Sequence, residues 1–282
     1  MASSTDSVAI EDQIARLRPE ERGPAAAFLA ENPPGAGAPV AVVIPAYNEA
    51  PTVADVIRRI PSELAGHATE VIVINDGSSD ETVAEARSAG ALVCDIPVNL
   101  GQGLIFMLGY WLARVRGAQV IATIDADGQY DERELEQVVE PILAGRADFV
   151  NGSRRMGTEL TTDPIRHAGV IFFGGLVSLL VHQRITDPAC GIRAFSADLT
   201  AAVKLEQTQY QTSEILIASA MNGFRVIEVA TTMRDRPEGA TLTKKGPNLL
   251  YGIRFARAVL GTWRRERRRA RTRPDGAKTQ YS

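Results

Sequence analysis

The chain has 282 residues, 45% of them hydrophobic, and a formal net charge of −3. This length and apolar content suffice for one large α/β core, and the near-neutral charge argues against general nucleic-acid binding. The two cysteines, Cys94 and Cys190, lack metal-ligand spacing and are expected to be reduced packing residues. No apolar run approaches the roughly 20 residues of a membrane-spanning helix, so none is expected.

The chain divides by composition into three parts. Residues 1–38 are expected to form an N-terminal extension and linker that docks on the main domain, with short helices at 10–17 and 24–29. Prolines and glycines crowd residues 32–39, which is typical of a linker. Residues 39–245 are expected to form the main domain and residues 246–282 a C-terminal extension.

Apolar runs alternate with helical patterns through the first half of the main domain. Strands are predicted at 40–44, 70–74, 91–93 and 120–124, with helices at 52–60, 81–88 and 104–116. Repeated strand–loop–helix units predict an α/β fold with a mostly parallel, Rossmann-like sheet flanked by helices. Ligands bind outside the carboxyl ends of such strands, so the polar loops 45–49, 75–80, 99–103 and 125–131 are expected to converge there.

The second half of the main domain is predicted less regularly. Residues 148–155 indicate a strand that runs into a basic loop, and 224–229 indicate another strand. Helices are predicted at 132–144, 165–183, 212–222 and 249–263.

Two carboxylates one residue apart, Asp125 and Asp127, follow the predicted strand 120–124. Such a pair at a strand end can converge on a hard cation, because Mg²⁺ and Mn²⁺ prefer oxygen ligands. Aspartate and glycine are also ordinary turn residues, so the pair by itself is equally compatible with a turn.

Four motifs, in order along the chain, resemble those of the family 2 glycosyltransferases of the GT-A fold. They are Val-Val-Ile-Pro-Ala-Tyr-Asn-Glu (42–49), Asn-Asp-Gly-Ser-Ser-Asp (75–80), Asn-Leu-Gly-Gln-Gly (99–103) and Asp-Ala-Asp-Gly-Gln (125–129). Segments 151–154, 187–195 and 236–239 resemble the polyprenyl- or dolichyl-phosphate sugar synthase branch. The resemblance implies one GT-A catalytic domain. It also implies a metal-dependent, inverting transfer of a hexosyl group from a UDP- or GDP-linked nucleotide sugar to a polyprenyl phosphate.

The resemblance assigns roles on the donor side. Asp127 is the principal ligand of Mg²⁺ or Mn²⁺, Gln129 is a second ligand, and Asp125 faces the donor ribose or the metal through water. The donor pocket is expected to contain Pro45, Ala46, Tyr47, Glu49, Asp76, Gly101, Gly103, Asp125 and Ala126. Asp131 is expected instead to cap the helix that begins at Glu132.

Three arginines, Arg154, Arg193 and Arg236, follow in the downstream loops and are expected to bind the acceptor phosphate, because guanidinium forks match phosphate oxygens. A phosphate is already an anion, so catalysis is expected from positioning and electrostatics. If the acceptor is instead a soluble or glycan hydroxyl, a base is needed, and Asp187 is the candidate. A non-catalytic nucleotide-sugar-binding subunit is a further alternative.

The sequence departs from the family pattern at two places. Asn75 precedes Asp76 where the family often has two adjacent acids. After segment 236–239, Thr241 is followed by Leu242, with Lys244 and Lys245 further on, where the branch usually has a small hydroxyl residue followed by lysine.

The predicted helix 249–263 runs into an arginine-rich segment, 264–271. Apolar residues next to dense positive charge indicate a peripheral element on a membrane surface, and the alternative is a helix that docks on the domain. The helix 165–183 is interpreted as a core helix or a lipid contact. The expected location is cytoplasmic, at the inner face of the cell membrane, and the sequence leaves a homo-oligomer open.

Overall fold

A computed structural model describes residues 4–160, 164–235 and 248–272 of the chain. The strands are β1 (Val40–Ala46), β2 (Glu63–Leu64), β3 (His67–Asp76), β4 (Leu92–Ile96), β5 (Val120–Thr123), β6 (Phe149–Glu159), β7 (Arg193–Ser196) and β8 (Val226–Met233). The helices are α1 (Ser4–Ala15), α2 (Pro19–Glu31), α3 (Val53–Arg59), α4 (Thr82–Ser88), α5 (Gln102–Arg116), α6 (Leu135–Leu143), α7 (Pro164–Val181), α8 (Ala197–Ala202), α9 (Gln211–Met221) and α10 (Asn248–Thr272).

One sheet runs in the order β4, β3, β1, β5, β7, β6, β8, with β2 antiparallel beside the start of β3. The pairs among β4, β3, β1 and β5 are parallel, and so is the pair β6–β8. The predicted mostly parallel α/β sheet is therefore confirmed. Strand β7 was not predicted, and it runs antiparallel to both of its neighbours, β5 and β6.

Helices cover both faces of the sheet. Val40 and Val42 of β1 pack on the side of α3, α4 and α6, whereas Ala41 and Val43 pack on the side of α2, α5, α7, α9 and α10. These four residues are all fully buried, because successive side chains point to opposite covered faces. Double coverage explains why the strand reads as a continuous apolar run.

The N-terminal extension docks on the domain, as expected. Ala25 and Phe28 of α2 are buried in the core. The linker is fastened to the end of α5, where Arg116 donates to the Pro33 carbonyl at 3.2 Å and accepts from the Gly37 N–H at 2.8 Å. The extension therefore closes one side of the sheet.

Helix α10 extends through the arginine-rich segment, and its apolar side packs on the domain. Phe255 and Val259 are buried, and the Phe255 ring lies 4.5 Å from Phe173 of α7. The Trp263 indole N–H donates to the Leu180 carbonyl at 3.1 Å. The structure shows the second alternative, a helix that docks on the domain, because α7 and α9 cover the side of Phe255 and Val259. Contact of this helix with a membrane stays a prediction. None of the helices in the described parts of the chain has the length and apolar content to cross a bilayer.

Candidate active site

The strand register brings the polar loops to one edge of the sheet. Ala46, the last residue of β1, pairs with Asn75 near the end of β3. Because parallel strands end at the same edge, the loops after β1, β3, β4 and β5 lie side by side, as predicted. Strand β7 arrives from the opposite direction, so its first residue, Arg193, lies beside Thr123, the last residue of β5.

Hydrogen bonds lock the first two loops together. The Asn48 N–H donates to Ser78 Oγ at 2.9 Å, and the Ser79 N–H donates back to Asn48 Oδ1 at 2.8 Å. Asn48 has a φ of 53°, a left-handed conformation that asparagine tolerates. The Glu49 N–H donates to Thr82 Oγ1 at 2.8 Å. The two loops therefore form one preorganised rim.

The predicted donor residues of the first loop differ in exposure. Tyr47 is 41% exposed, Pro45 and Glu49 are half-buried, and Ala46 is buried at the end of β1. An exposed tyrosine ring on a fixed loop offers an apolar face and a hydroxyl to a ligand. Tyr47 is thus the member of this loop best placed to meet a nucleotide.

Asp76 fastens the third loop to β3. Its Oδ1 accepts from the Leu100 N–H at 2.6 Å, and its Oδ2 accepts from the Gly101 N–H at 3.0 Å. Burial raises the pKa of Asp76, although these backbone donors oppose the shift. Both carboxylate oxygens accept from the chain's own backbone, so Asp76 holds the loop that would surround a donor.

The neighbours of Asn75 explain why this chain has an amide where the family often has an acid. Asn75 Nδ2 donates to Asp95 Oδ1 at 2.7 Å, and Asn75 Oδ1 accepts from the Ser78 N–H at 3.2 Å. An aspartate at this position would place a second carboxylate against Asp95. The amide of Asn75 therefore removes a like-charge contact that the acid would create.

The glycines of the third loop pack against the chain itself. The Gly103 N–H donates to the Thr208 carbonyl at 2.9 Å. A Cβ at Gly103 would lie 2.7 Å from the Thr208 carbonyl carbon and would collide with the Gln207 oxygen. Gly101 has a φ of 96° and lies against the same segment. The expectation that Gly103 leaves room for a nucleotide is corrected, because residues 207–208 fill that room.

The Asp-x-Asp segment is tightly held. The Asp125 carboxylate lies where a side chain at position 191 would project, so Gly191 is needed there. Asp127 is 6% exposed, and its Oδ1 accepts from the Gln129 N–H at 3.1 Å. Gln129 Nε2 donates to the Arg234 carbonyl at 3.0 Å, which orients the Gln129 amide.

The donor set of Asp127 and Gln129 fits a hard cation only in part. Carboxylate and amide oxygens are suitable ligands, and Mg²⁺ is often bound by one or two carboxylates plus substrate phosphates. Across the described ranges, no three His, Cys, Asp or Glu side chains form a group that could hold a metal. A metal here would therefore need oxygens from a bound diphosphate. Ala126, between the two aspartates, is buried in the core.

Asp131 has the capping role predicted for it. Its Oδ1 accepts from the Arg133 N–H at 3.1 Å at the start of the short 3-10 turn Glu132–Glu134. Its Oδ2 binds the guanidinium groups of Arg133 at 2.6 Å and Arg234 at 2.8 Å. The Arg133 hydrogen bond holds the pKa of Asp131 well below its usual range.

Arg154 and Asp187 form a buried ion pair. Arg154 Nε and Nη2 donate to the two carboxylate oxygens of Asp187 at 2.6 and 2.7 Å, and the residues are 3% and 0% exposed. Burial disfavours the charged guanidinium, but the Asp187 hydrogen bonds outweigh it and raise the pKa of Arg154. Two assignments are corrected: Asp187 is not available as a base, and Arg154 cannot grip a phosphate without breaking this pair.

Arg193 is also buried, but its surroundings are different. Its guanidinium carbon lies 5.0 Å from the centre of the Phe106 ring, and its Nη2 reaches Tyr110 Oη at 3.4 Å and Gln211 Oε1 at 3.3 Å. Its Nε and Nη1 have no hydrogen-bond partner, and no carboxylate of the described residues lies within ion-pair distance. Arg193 therefore has two buried N–H groups directed at no acceptor.

Tyr130 joins the two halves of the site, a role that the sequence did not reveal. Its hydroxyl accepts from the Gly191 N–H at 3.0 Å and lies 3.8 Å from Cys190 Sγ. Burial raises the pKa of Cys190 to about 12, and Cys94 is likewise buried and free, which confirms both as packing cysteines. An aromatic residue inside a run of polar residues was the available signal for Tyr130.

Some predicted residues lie outside the described ranges. They are Arg236, assigned to the acceptor phosphate, and Thr241, Leu242, Lys244 and Lys245 of the second departure.

Known proteins are similar to this chain in sequence and in fold. The chain is 35% identical to the glycosyltransferase AglD of Haloferax volcanii over 87% of its own length but 39% of that protein's. It is 32% identical to the dolichyl-phosphate hexose transferase of the same organism, over 70% of this chain and 83% of that one.

A glucosyl-3-phosphoglycerate synthase from Mycobacterium tuberculosis, solved with Mn²⁺, UDP-glucose and phosphoglyceric acid, superposes with a TM-score of 0.62. It is 22% identical, and the match covers 86% of this chain and 83% of that one. That likeness concerns the fold. The model of the glycosyl transferase family 2 matches residues 41–202, more than half of the chain. The protein is a glycosyltransferase that belongs to glycosyl transferase family 2.

Proposed function

We propose that the protein transfers a hexosyl group, with inversion, from a nucleotide sugar to a polyprenyl phosphate. The observation that carries the proposal is Arg193, a buried cation with two unpartnered N–H groups at the active edge of the sheet. A buried charge without a partner is costly, and such groups are kept where a ligand completes them. A phosphate oxygen pair matches the guanidinium fork.

The ion pair between Arg154 and Asp187 supports an anionic acceptor over a hydroxyl acceptor. A hydroxyl must lose a proton as it attacks, and Asp187, the predicted base, is engaged on both oxygens. A phosphate monoester needs no such base. Its oxygen attacks the anomeric carbon on the face opposite the nucleotide, and the bond to the nucleotide diphosphate breaks as the new bond forms.

The donor is proposed to lie along the rim of the first two loops and the third loop beside it. Tyr47 would contact its base or ribose, Asp125 its ribose, and Asp76 would keep the rim closed. A Mg²⁺ or Mn²⁺ ion held by Asp127, Gln129 and the donor diphosphate would act as a Lewis acid on the leaving group. The Mn²⁺ and UDP-glucose of the mycobacterial synthase, and the dolichyl-phosphate relative, support this choice of substrates.

The acceptor is a lipid, so we propose that the enzyme works while attached peripherally to the cytoplasmic face of the membrane. The substrate is then a phosphate group held at the bilayer surface. The donor nucleotide, UDP or GDP, comes from the aqueous phase.

The experiment is transfer of radiolabelled sugar to polyprenyl phosphate by wild type, Arg193→Lys and Arg193→Met. The methionine variant should raise KM for the lipid phosphate and lower kcat/KM by about a hundredfold, the loss of roughly 3 kcal/mol of charge-assisted binding. The thermal shift that UDP or GDP gives with Mn²⁺ should persist, because Arg193 serves the acceptor. Transfer by Arg193→Met at the wild-type rate would refute the assignment.

A nucleotide-sugar-binding subunit without activity is the alternative of a different class. Asp127→Asn separates it from the enzyme. In the enzyme, this substitution abolishes both metal-dependent nucleotide binding and transfer. A subunit would support transfer by a partner whether or not Asp127 is present.

A further inference from the structure

The segment that connects α8 to α9 supports the third loop of the active edge. It comprises residues 204–210, and we call it the bridging segment. Its Thr208 carbonyl accepts from the Gly103 N–H at 2.9 Å, and the Gln207 oxygen lies where a side chain at Gly103 would project. The third loop is therefore held on two sides, by Asp76 at the end of β3 and by the bridging segment.

Glu214, in the first turn of α9, fixes the bridging segment. Its two oxygens accept from the Glu206 N–H, both at 3.0 Å, and Oε2 also accepts from the Gln207 N–H at 2.9 Å. The Glu214 side chain is fully buried. A buried carboxylate is costly unless hydrogen bonds and an opposite charge compensate it, so Glu214 needs a cation to hold this position.

Arg265 of α10 supplies that cation. Its Nη2 donates to Glu214 Oε1 at 2.7 Å and to the Lys204 carbonyl at 3.3 Å, and its Nη1 donates to Glu206 Oε2 at 3.3 Å. One guanidinium thus contacts the bridging segment at two places and also contacts the carboxylate that holds it. Arg269, one turn later, adds a contact with the Glu206 carboxylate at 3.2 Å.

These contacts form a continuous chain from α10 to the donor side of the site. Arg265 binds Glu214, and Glu214 binds the N–H groups of residues 206 and 207. The next carbonyl along the chain, that of Thr208, binds Gly103. Each link is a direct hydrogen bond between 2.7 and 3.0 Å long. A displacement of the guanidinium would therefore be transmitted to the third loop.

We propose that Arg265 is a positioning residue for the nucleotide sugar, because it fixes the third loop through Glu214 and the bridging segment. This inference rests on the proposed placement of the donor beside that loop. Coupling through such a chain is demonstrated when a change at one end alters binding at the other. The competing role is purely structural: Arg265 would fasten α10 to α9 and leave the third loop unaffected.

Hydrogen–deuterium exchange tests the first half of the proposal without any ligand. In Arg265→Met, the segments 99–105 and 204–210 should exchange about tenfold faster than in wild type, which corresponds to the loss of one charge-assisted hydrogen bond.

Calorimetric titration with UDP or GDP in the presence of Mn²⁺ tests the second half. Arg265→Met should bind the nucleotide about fivefold more weakly or worse, and its KM for the nucleotide sugar should rise by the same factor. Its kcat at saturating donor should stay within about twofold of wild type, because the reacting groups are unchanged. A substitution that only unfolds part of the protein would lower the apparent kcat and leave KM unchanged.

The control is Arg225→Met. Arg225 binds both oxygens of Asp148 and the Gly145 carbonyl at the start of β6, on the edge of the sheet opposite the active edge. This variant also loses an arginine that binds a carboxylate and a carbonyl. Its exchange at 99–105 and its nucleotide affinity should stay within about twofold of wild type.

Arg265→Lys is the second variant. It keeps a cation beside Glu214 but loses the further N–H groups of the guanidinium. It should show the same changes as Arg265→Met at smaller size, and it replaces that variant if Arg265→Met does not fold.

The proposal is overturned if Arg265→Met matches wild type in exchange at 99–105 or in nucleotide affinity, or if Arg225→Met shows the same losses. A lower Tm without these changes would assign Arg265 to the fastening of α10 alone.

Failure of the proposed function gives a different pattern. If wild type binds UDP or GDP but transfers sugar to no polyprenyl phosphate, the proposed acceptor fails, and the positioning role stands on the binding data. If wild type binds neither nucleotide, the proposed donor fails, whereas exchange still decides whether Arg265 holds the third loop.

Discussion

The ion pair between Arg154 and Asp187 allows a double-mutant cycle. The cycle tests whether Asp187 stabilises the fold through this pair or acts as a base in the reaction. The cycle consists of Arg154→Met, Asp187→Asn and the double variant. The Ala189 N–H donates to Asp187 Oδ1 at 3.3 Å, and an asparagine at this position keeps an oxygen that can accept this hydrogen bond. Each single substitution leaves one buried group without the partner that the geometry provides.

The expected magnitudes follow from burial. The two side chains are 2% and 0% exposed, so removing one partner should cost about 3–5 kcal/mol of unfolding free energy. For a domain of this size, 1 kcal/mol shifts Tm by about 2–4 °C, so each single variant should melt roughly 10 °C lower. The double variant should cost about 2–3 kcal/mol less than the sum, because no charge is left buried alone.

The measurement is urea unfolding and calorimetry for the four proteins, with transfer assayed at a temperature where all are folded. A control is Arg116→Met with Glu70→Gln, a partly buried pair at 2.8 Å that holds the linker instead of the active edge. It should lower stability and leave transfer unchanged.

The reasoning fails if Asp187→Asn abolishes transfer while Tm stays within about 2 °C of wild type. That outcome would return Asp187 to the role of base. Strictly additive losses in the cycle would also contradict a coupled pair.

Three further predictions concern single positions. Gly103→Ala should lower the unfolding free energy by about 1–3 kcal/mol through overpacking, whereas Gly261→Ala, with open space around it on α10, should raise it by up to about 1 kcal/mol; calorimetry compares them. Asn75→Asp should be destabilised at pH 7.5 and recover towards pH 5 in urea titrations, because a carboxylate beside Asp95 has a raised pKa and becomes neutral as pH falls. The lowered pKa of Asp131 adds stability above about pH 4 that is lost as pH falls further, so Asp131→Asn should flatten the acid limb of stability measured by urea midpoints.

The parts of the fold that repeat were predictable from sequence. Strands β1, β3, β4 and β5 were each predicted, and each is followed by a polar loop, so the shared edge and its four loops followed from chain order alone. Asp131 was also predictable as a cap, because its role depends on residues two positions away.

The roles that failed depend on contacts far apart in sequence. Arg154 and Asp187 are separated by 33 residues, and no local pattern pairs them. Gly103 meets residues 207–208, and α10 meets α7, through packing that the helical pattern does not specify. A stretch of four residues that begins with arginine gave no strand signal for β7, although tertiary pairing with β5 and β6 makes it one.

The reversed direction of β7 has a consequence for how the enzyme can vary. In a parallel sheet, a residue at the active edge lies at the end of a strand. Its position can change when the loop that follows changes length. Arg193 instead begins a strand and pairs across to Thr123 on one side and Asn151 on the other. Pairing on both sides therefore keeps this guanidinium in place when other loops at the active edge change length. We expect the family to diversify its acceptors by remodelling those loops around a fixed cation.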